Sequence, residues 1–297
     1  MDPMTFLILI IIGVVVGMFG AMLGIGGGVL IVPLLVLGLH MQIHTAIAAS
    51  LISVIATSCA TATMTTGEEL VNVRLGMFLE TSTTLGAIAG AFVSVFLPFN
   101  ALAIIFIAVI LLSGLAMVRK RPSGTPTYGK RERDHKRGSK GPGGAGQDGS
   151  AGRPALASSY YDMAQKATIA YAPTNMGYGW GMSFFAGLVS GIIGIGGGVI
   201  KVPAMNVLMK VPIKVAAATS NFMIGVTAVA SAFVFYTRGL VDVIPTAALL
   251  LGVFPGSIIG FRLAFRAQRS YLRNIFAGVL ALVAVLMAVK VLGLTDY

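Results

Sequence analysis

The sequence predicts an all-α polytopic membrane protein. It reads as two homologous, inverted repeats of about five membrane segments each, with short Gly-broken helices at the repeat interface. Three observations lead there. Of the 297 residues, 56% are hydrophobic and 10% charged, against roughly a quarter charged in an ordinary soluble domain. Apolar runs of about 18 to 25 residues recur, long enough to cross a hydrocarbon core of roughly 30 Å as helices rising about 1.5 Å per residue. The third observation is an internal repeat at an offset of 170 positions. Barrel strands would alternate apolar and polar residues, and runs such as Leu102 to Val118 (LAIIFIAVILLSGLAMV) do not.

The repeat aligns Gly17 to Pro33 (GMFGAMLGIGGGVLIVP) with Gly187 to Pro203 (GLVSGIIGIGGGVIKVP). With no gap it also pairs Ala48 and Ser50 with Ala218 and Ser220, Gly86 and Gly90 with Gly256 and Gly260, and Phe106 with Phe276. The first half offers apolar segments near 5 to 22, 25 to 39, 45 to 64, 73 to 97 and 101 to 118. Their equivalents lie near 179 to 193, 195 to 209, 215 to 236, 243 to 261 and 274 to 292. The N-terminal run MDPMTFLILIII has no Lys or Arg ahead of it and no small-residue cleavage site behind it, so it reads as the first span rather than a secretory signal.

Charge divides the chain into membrane repeat 1 (1–120), a basic Gly/Pro-rich linker (121–178) and membrane repeat 2 (179–297). Nine of the 21 basic residues fall between Arg119 and Lys140. The linker continues as GPGGAGQDGSAGRP, too poor in apolar residues to offset the entropy of ordering. Its basicity is read as topological, placing the linker in the cytoplasm of a plasma-membrane protein. It is compatible with anionic lipid headgroups and, lacking interleaved aromatics, does not suit nucleic acid. Ser158 to Ala172 (SSYYDMAQKATIAYA) is expected to form a short interfacial helix. Lys210, Lys214, Arg262, Arg266, Arg269 and Arg273 crowd turns whose first-half counterparts contain no Lys or Arg, so the positive bias has opposite phase in the two halves. Five plus five crossings satisfy this and put both termini outside; four plus four would make the repeats parallel and strand the arginines on the wrong side.

Each half carries GIGGG, Gly24 to Gly28 and Gly194 to Gly198, ahead of a short apolar run that reaches Pro33 or Pro203. Glycine in a helix interior costs roughly 1 kcal/mol relative to Ala, so this density should break the helix. Within a bilayer, unpaired backbone is tolerated only where it is buried in protein or lines a cavity. The helix restarting near Gly28 or Gly198 presents unpartnered N–H groups and a positive dipole end to which an anion can come close. Two such breaks in corresponding positions of inverted halves are the pattern of a transporter site near the midplane. The competing reading is close helix packing, the expected role of Gly86, Gly90, Gly256 and Gly260. No Gly-Lys-Ser/Thr follows GIGGG and no βαβ unit surrounds it, so neither a P-loop nor a dinucleotide fold is indicated.

The chain resembles the TauE/SafE family, also called the sulfite exporter or TSUP family. The resemblance rests on GIGGGVLIVP with AIAASL in the first half and on GIGGGVIKVP with AAATSN in the second. It implies duplicated membrane halves and transport of small sulfur oxyanions or organosulfonates, such as sulfite, thiosulfate and sulfoacetate. The long basic linker departs from compact members and leaves a regulatory role open.

The candidate substrate-binding set is Gly26, Gly27, Gly28, Ser50, Gly196, Gly197, Gly198, Thr219, Ser220, Asn221 and Lys201. Hydroxyls and an amide can donate to an oxyanion without a fixed charge. Their alternative is a back-bond to the helix's own carbonyl; the repeat and the resemblance favour the site. Lys201 can neutralise an anion, but snorkelling or structural pairing is the preferred reading. Glu80, the carboxylate well inside a span and opposite Leu250 in the repeat, is the proton-coupling candidate; pairing with a nearby base or a polar packing contact is the alternative.

His40 and His44 are expected to be solvated, Cys59 and the methionines to pack in spans, and Tyr178 with Trp180 to anchor an interface. One cysteine and three scattered histidines give no disulfide and no metal-ligand spacing, so no cofactor is expected. Without a nucleophile–base pair, an enzyme is the least favoured class. The reading is a secondary transporter of a small sulfur-containing anion working by alternating access, with protons an open coupling ion and an anion channel the alternative. Oligomeric state is not legible in the sequence.

Overall fold

The computed structural model describes residues 2–23, 26–65, 71–119, 156, 158–162, 167–266, 278 and 283–290. The first half contains α1 (Pro3–Leu23), α2 (Gly28–Pro33) continued by a π-helical turn (Leu34–Gly38), α3 (Ile43–Thr65), α4 (Val73–Phe96) and α5 (Phe99–Arg119). A hairpin of β1 (Ser158–Asp162) and β2 (Ala167–Tyr171) precedes α6 (Met176–Ile193), α7 (Gly198–Val207), α8 (Ile213–Thr237) and α9 (Val243–Arg266). Six of these helices are long and apolar enough to cross a membrane, and Gly28–Gly38 and Phe99–Leu112 are shorter apolar helices. The protein is an all-α polytopic membrane protein. Of the last expected span, only 278 and 283–290 are described, and both are helical. The basic linker up to 155, apart from its junction with α5, and Arg269 and Arg273 lie outside the described residues.

Local chemistry sets the helix ends. The Asn72 side chain caps α4 by accepting from Leu75 N at 3.0 Å. At the end of α6, Gly194 turns left-handed (φ 74°) and donates its N–H to Ser190 O at 2.8 Å. Pro33 has no N–H to give the ladder, and the helix there widens into the π turn.

Glycines let two pairs of helices approach at backbone distance. Gly13 and Gly17 of α1 lie on Leu249 and Val253 of α9, while Gly252, Gly256 and Gly260 of α9 lie on Ile10, Val14 and Met18 of α1. Gly86 and Gly90 of α4 meet Phe184 and Leu188 of α6, and Gly187 and Gly191 meet Thr83 and Ala87. Because the residue numbers climb together on both partners, each pair runs parallel. The contacts also correspond under the 170-residue offset: Gly17 on Val253 matches Gly187 on Thr83, and Gly90 on Leu188 matches Gly260 on Met18. Such glycine contacts drive membrane helix association through dispersion and close backbone fit. Between the pairs, the repeat-equivalent helices α3 and α8 pack together, with Ser58 Oγ donating to Asn221 O at 2.6 Å.

Ser158 to Tyr171 corrects the helix expectation. The two strands pair antiparallel from Ser158↔Tyr171 to Asp162↔Ala167. Thr, Ile and Tyr favour strands, and Ile169 and Tyr171, two apart, both pack on a small cluster with Leu75, Leu79, Met205 and Met209. A 3.6-residue reading overlooks that period of two.

A Cβ at position 90 would overlap the Leu188 carbonyl, whereas Gly181 faces open space. Gly90→Val should therefore lower the melting temperature in detergent sharply, overpacking costing about 1–3 kcal/mol. Gly181→Ala should melt at or above the wild-type temperature.

Candidate functional site

The glycine breaks are built by backbone conformation. Gly26 and Gly27 have φ of 82° and 77°, and Gly194, Gly196 and Gly197 have φ of 74°, 82° and 75°, left-handed values that side-chain-bearing residues adopt only at a cost. Gly27 and Gly197 are the N-caps of α2 and α7.

The two breaks stand back to back. A Cβ on Gly28 would lie 2.5 Å from the Gly194 carbonyl oxygen and 2.9 Å from Ser50 Oγ. Ser50 Oγ donates to Gly194 O at 2.9 Å and reaches Gly28 O at 3.3 Å, so a residue of the first half ties both breaks together. The side chains of Val54 and Ile224, equivalent positions on α3 and α8, both close on Gly26 and Gly196.

Ser220, the counterpart of Ser50, is fully buried and its hydroxyl has no hydrogen-bond partner among the described residues. Ser190 on α6 is also fully buried with an unpartnered hydroxyl, and its Cβ lies 3.3 Å from where a Cβ of residue 197 would stand. Thr219 is turned elsewhere: its Oγ1 accepts from Asn72 N at 3.1 Å. Asn72 Nδ2 in turn donates to Tyr171 Oη at 3.0 Å and Leu156 O at 3.3 Å, so the hairpin is tied to α8 through the residue that caps α4. Burial raises the Tyr171 phenol above its ordinary pKa, which keeps it neutral as the acceptor in this chain. Asn221 supplies its carbonyl to Ser58, and its side chain is half-buried.

Beside the second break lies an ion pair. Lys201, in the first turns of α7, is 1% exposed, and its Nζ is 3.4 Å from Oε2 of Glu80 on α4, itself 6% exposed. Lys201 Nζ also donates to Thr227 Oγ1 at 2.8 Å. Glu80 Oε1 lies 2.7 Å from Thr227 Oγ1 and accepts from Thr84 Oγ1 at 3.2 Å. Hydrogen bonds on both oxygens compensate the loss of water around the carboxylate. Of the two readings favoured for Lys201, pairing is what the structure holds, and snorkelling is not. Lys201 Cε lies 3.5 Å from the Gly197 Cβ position, so the pair touches the break.

Thr227, Thr84, Ser190 and Asn72 were not legible as site residues. A signal for the pair existed: Glu80 and Lys201 carry opposite charges where the repeat partners, Leu250 and Ile31, are apolar. Elsewhere, His44 Nε2 pairs with Ser94 O at 3.0 Å and is half-buried rather than solvated. Cys59 is exposed on its helix, and Tyr178 and Trp180 are exposed at the start of α6. Among the described residues no group of His, Cys, Asp and Glu is arranged to hold a metal ion.

Long apolar helices interrupted by paired glycine breaks, with a charged pair buried at one of them, define a multi-pass membrane transporter. The family described as sulfite exporter TauE/SafE matches residues 9–287, and the chain belongs to it. It is 28% identical over 290 residues to "Probable membrane transporter protein YunE" of Bacillus subtilis (strain 168), covering 94% of this chain and 96% of that protein. It is also 32% identical over 113 residues to "Probable membrane transporter protein MamO" of Magnetospirillum gryphiswaldense (strain DSM 6361 / JCM 21280 / NBRC 15271 / MSR-1), covering 35% of this chain and 18% of that protein. No solved structure matches.

Removing one member of a buried ion pair strands its partner's charge, at about 3–5 kcal/mol. Lys201→Ile and Glu80→Leu alone should each lower the melting temperature strongly. The double variant, which places at both positions the apolar residues that their repeat partners Ile31 and Leu250 carry, should recover most of the loss. Additive losses would show the two charges to be independent.

Proposed function

We propose that the chain is a secondary transporter that moves a small sulfur-containing anion, such as sulfite, thiosulfate or an organosulfonate like sulfoacetate, across the plasma membrane by alternating access. The observation that carries this reading is the Lys201–Glu80 pair buried against the Gly197 break. It places a fixed positive charge beside the open end of a helix, where an anion gains from both. Membership of a family described as sulfite exporters supports the substrate class.

Two halves exchanging the same contacts support an inverted repeat. α1 runs parallel to α9, and α8 and α9, joined by a short turn, run opposite to each other. Ser58 of α3 meets Asn221 and Gly225 of α8, while Val54 and Ile224 share Gly26 and Gly196, so the equivalent helices face each other through repeat-related positions. The proposed relation between the halves is a pseudo-two-fold axis in the membrane plane, passing between α3 and α8. In this arrangement the linker 121–178 between the repeats 1–120 and 179–297 is cytoplasmic, both termini are outside, and rocking of the halves about the glycine breaks exposes the site to each side in turn.

Glu80 is the proton-coupling residue of the scheme. When a monovalent anion takes the place of its carboxylate on Lys201, a proton on Glu80 keeps the net charge of the site unchanged, and with a divalent anion it limits the change to one unit. From α7 the only charge facing Glu80 is Lys201; α6 carries no charged residue, and those of α8 and its cap, Lys214 and Arg238, lie near its ends.

Flux into proteoliposomes, with sulfite, thiosulfate, sulfoacetate and sulfate compared, tests the proposal. Saturable uptake of one sulfur anion, counterflow, and a response to an imposed pH gradient are expected. Glu80→Gln should retain counterflow and lose the gradient response. Flux without saturation or counterflow would make the protein a channel, and absence of flux for every anion would remove the substrate class.

A further inference from the structure

We infer that the two glycine breaks are not equivalent half-sites: the anion has one seat, at the N-terminus of α7 in the second half, with the Ser190 hydroxyl as a direct donor. The inference rests on the anion-transport reading and assigns where in that site the anion is held.

Both helix ends leave the same two amides open, since Leu30 N and Ile31 N bond to Gly27 O as Ile200 N and Lys201 N bond to Gly197 O, but only the second half adds a charge and unpartnered hydroxyls. α7 is α-helical over its ten residues, whereas α2 passes into the π turn after Pro33. In α7 the first intrahelical bonds are Ile200 N and Lys201 N to Gly197 O, which leaves the N–H groups of Gly198 and Val199 at the open end. Lys201 brings the charge, where the first half has Ile31.

Two hydroxyls provide an independent observation. Ser190 is fully buried, unpartnered, and against Gly197. Buried hydroxyls ordinarily find an acceptor, at least the carbonyl one turn back, as Ser53, Thr57, Thr61 and Thr83 do here. Ser190 falls opposite Gly20 in the repeat, so the first half has no hydroxyl there. Ser220 is the second. Its counterpart Ser50 spends its proton on Gly194 O and Gly28 O, but the Ser220 hydroxyl, also fully buried, has no partner among the described residues. By repeat register Ser220 stands to Gly198 as Ser50 stands to Gly28. Two free donors, two helix-end amides and an ammonium suit a tetrahedral or pyramidal oxyanion with several equivalent oxygens. They also suit a sulfonate, whose organic tail projects away from the donors. Glu80, already bonded to Lys201 Nζ, competes with that anion for the ammonium.

Equilibrium binding to the full-length protein in nanodiscs, with sulfite, thiosulfate, sulfoacetate and sulfate as probes, tests the assignment. Ser190→Ala and Ser220→Ala should each weaken the bound anion about tenfold, the scale of one hydrogen bond to a charged group, with melting temperatures unchanged because no protein bond is lost. Thr174→Val removes the third unpartnered buried hydroxyl, which lies by the hairpin, and should leave affinity unchanged. If the wild type binds none of the probes, the transport reading fails. If the wild type binds and the folded serine variants bind equally well, or Thr174→Val loses as much, the single-seat assignment is overturned.

Discussion

A polypeptide inside a bilayer must satisfy its backbone from within the protein, and this constraint organises the molecule. Both glycine breaks release N–H and C=O groups in the middle of apolar sequence. The structure meets the cost by setting the breaks against one another, with Ser50 bonded to Gly28 O and Gly194 O and with Val54 and Ile224 closing over Gly26 and Gly196. A break in one half alone would have no partner surface. The glycine stripes that clamp α1 to α9 and α4 to α6 serve the same end, each joining a helix of one half to a helix of the other.

On this paired frame the chemistry is one-sided. Glu80 and Lys201 meet across the halves where their repeat counterparts, Leu250 and Ile31, are apolar, and Ser190 replaces a glycine. Duplication provides a common frame, and the charged and hydroxyl side chains differ between its two sides. A buried ion pair is weak evidence for stability in itself, because desolvation offsets most of its attraction. Its location at the end of a helix beside a glycine break is what the transport proposal builds on. The hairpin adds a mechanical link: through Asn72 it touches both the start of α4, which carries Glu80, and Thr219 on α8, which carries Thr227.

The fold class was legible because span length and glycine spacing are local properties of sequence. The break after GIGGG was legible for the same reason, since helix propensity is an intrinsic cost. The Glu80–Lys201 pairing was half visible: each residue was singled out, but their 121-position separation hides that one answers the other. Thr227 and Ser190 were invisible, because a serine or threonine in a membrane helix is usually back-bonded, and only tertiary placement distinguishes the exception. The hairpin was less legible, because the strand preference of Tyr, Thr and Ile is weak in a short polar stretch until Ile169 and Tyr171 pack on the cluster with Leu75 and Met209.

The meeting of the two breaks at the centre of the molecule is the claim on which the account turns. Cross-linking of Val54→Cys with Ile224→Cys by a short bifunctional maleimide, in a Cys59→Ser background carrying a protease site in the linker between residues 121 and 150, tests it directly. The account predicts that the halves stay covalently joined after cleavage, because both side chains lie on the same two glycines. Complete separation of the halves in a folded, labelled variant would contradict it.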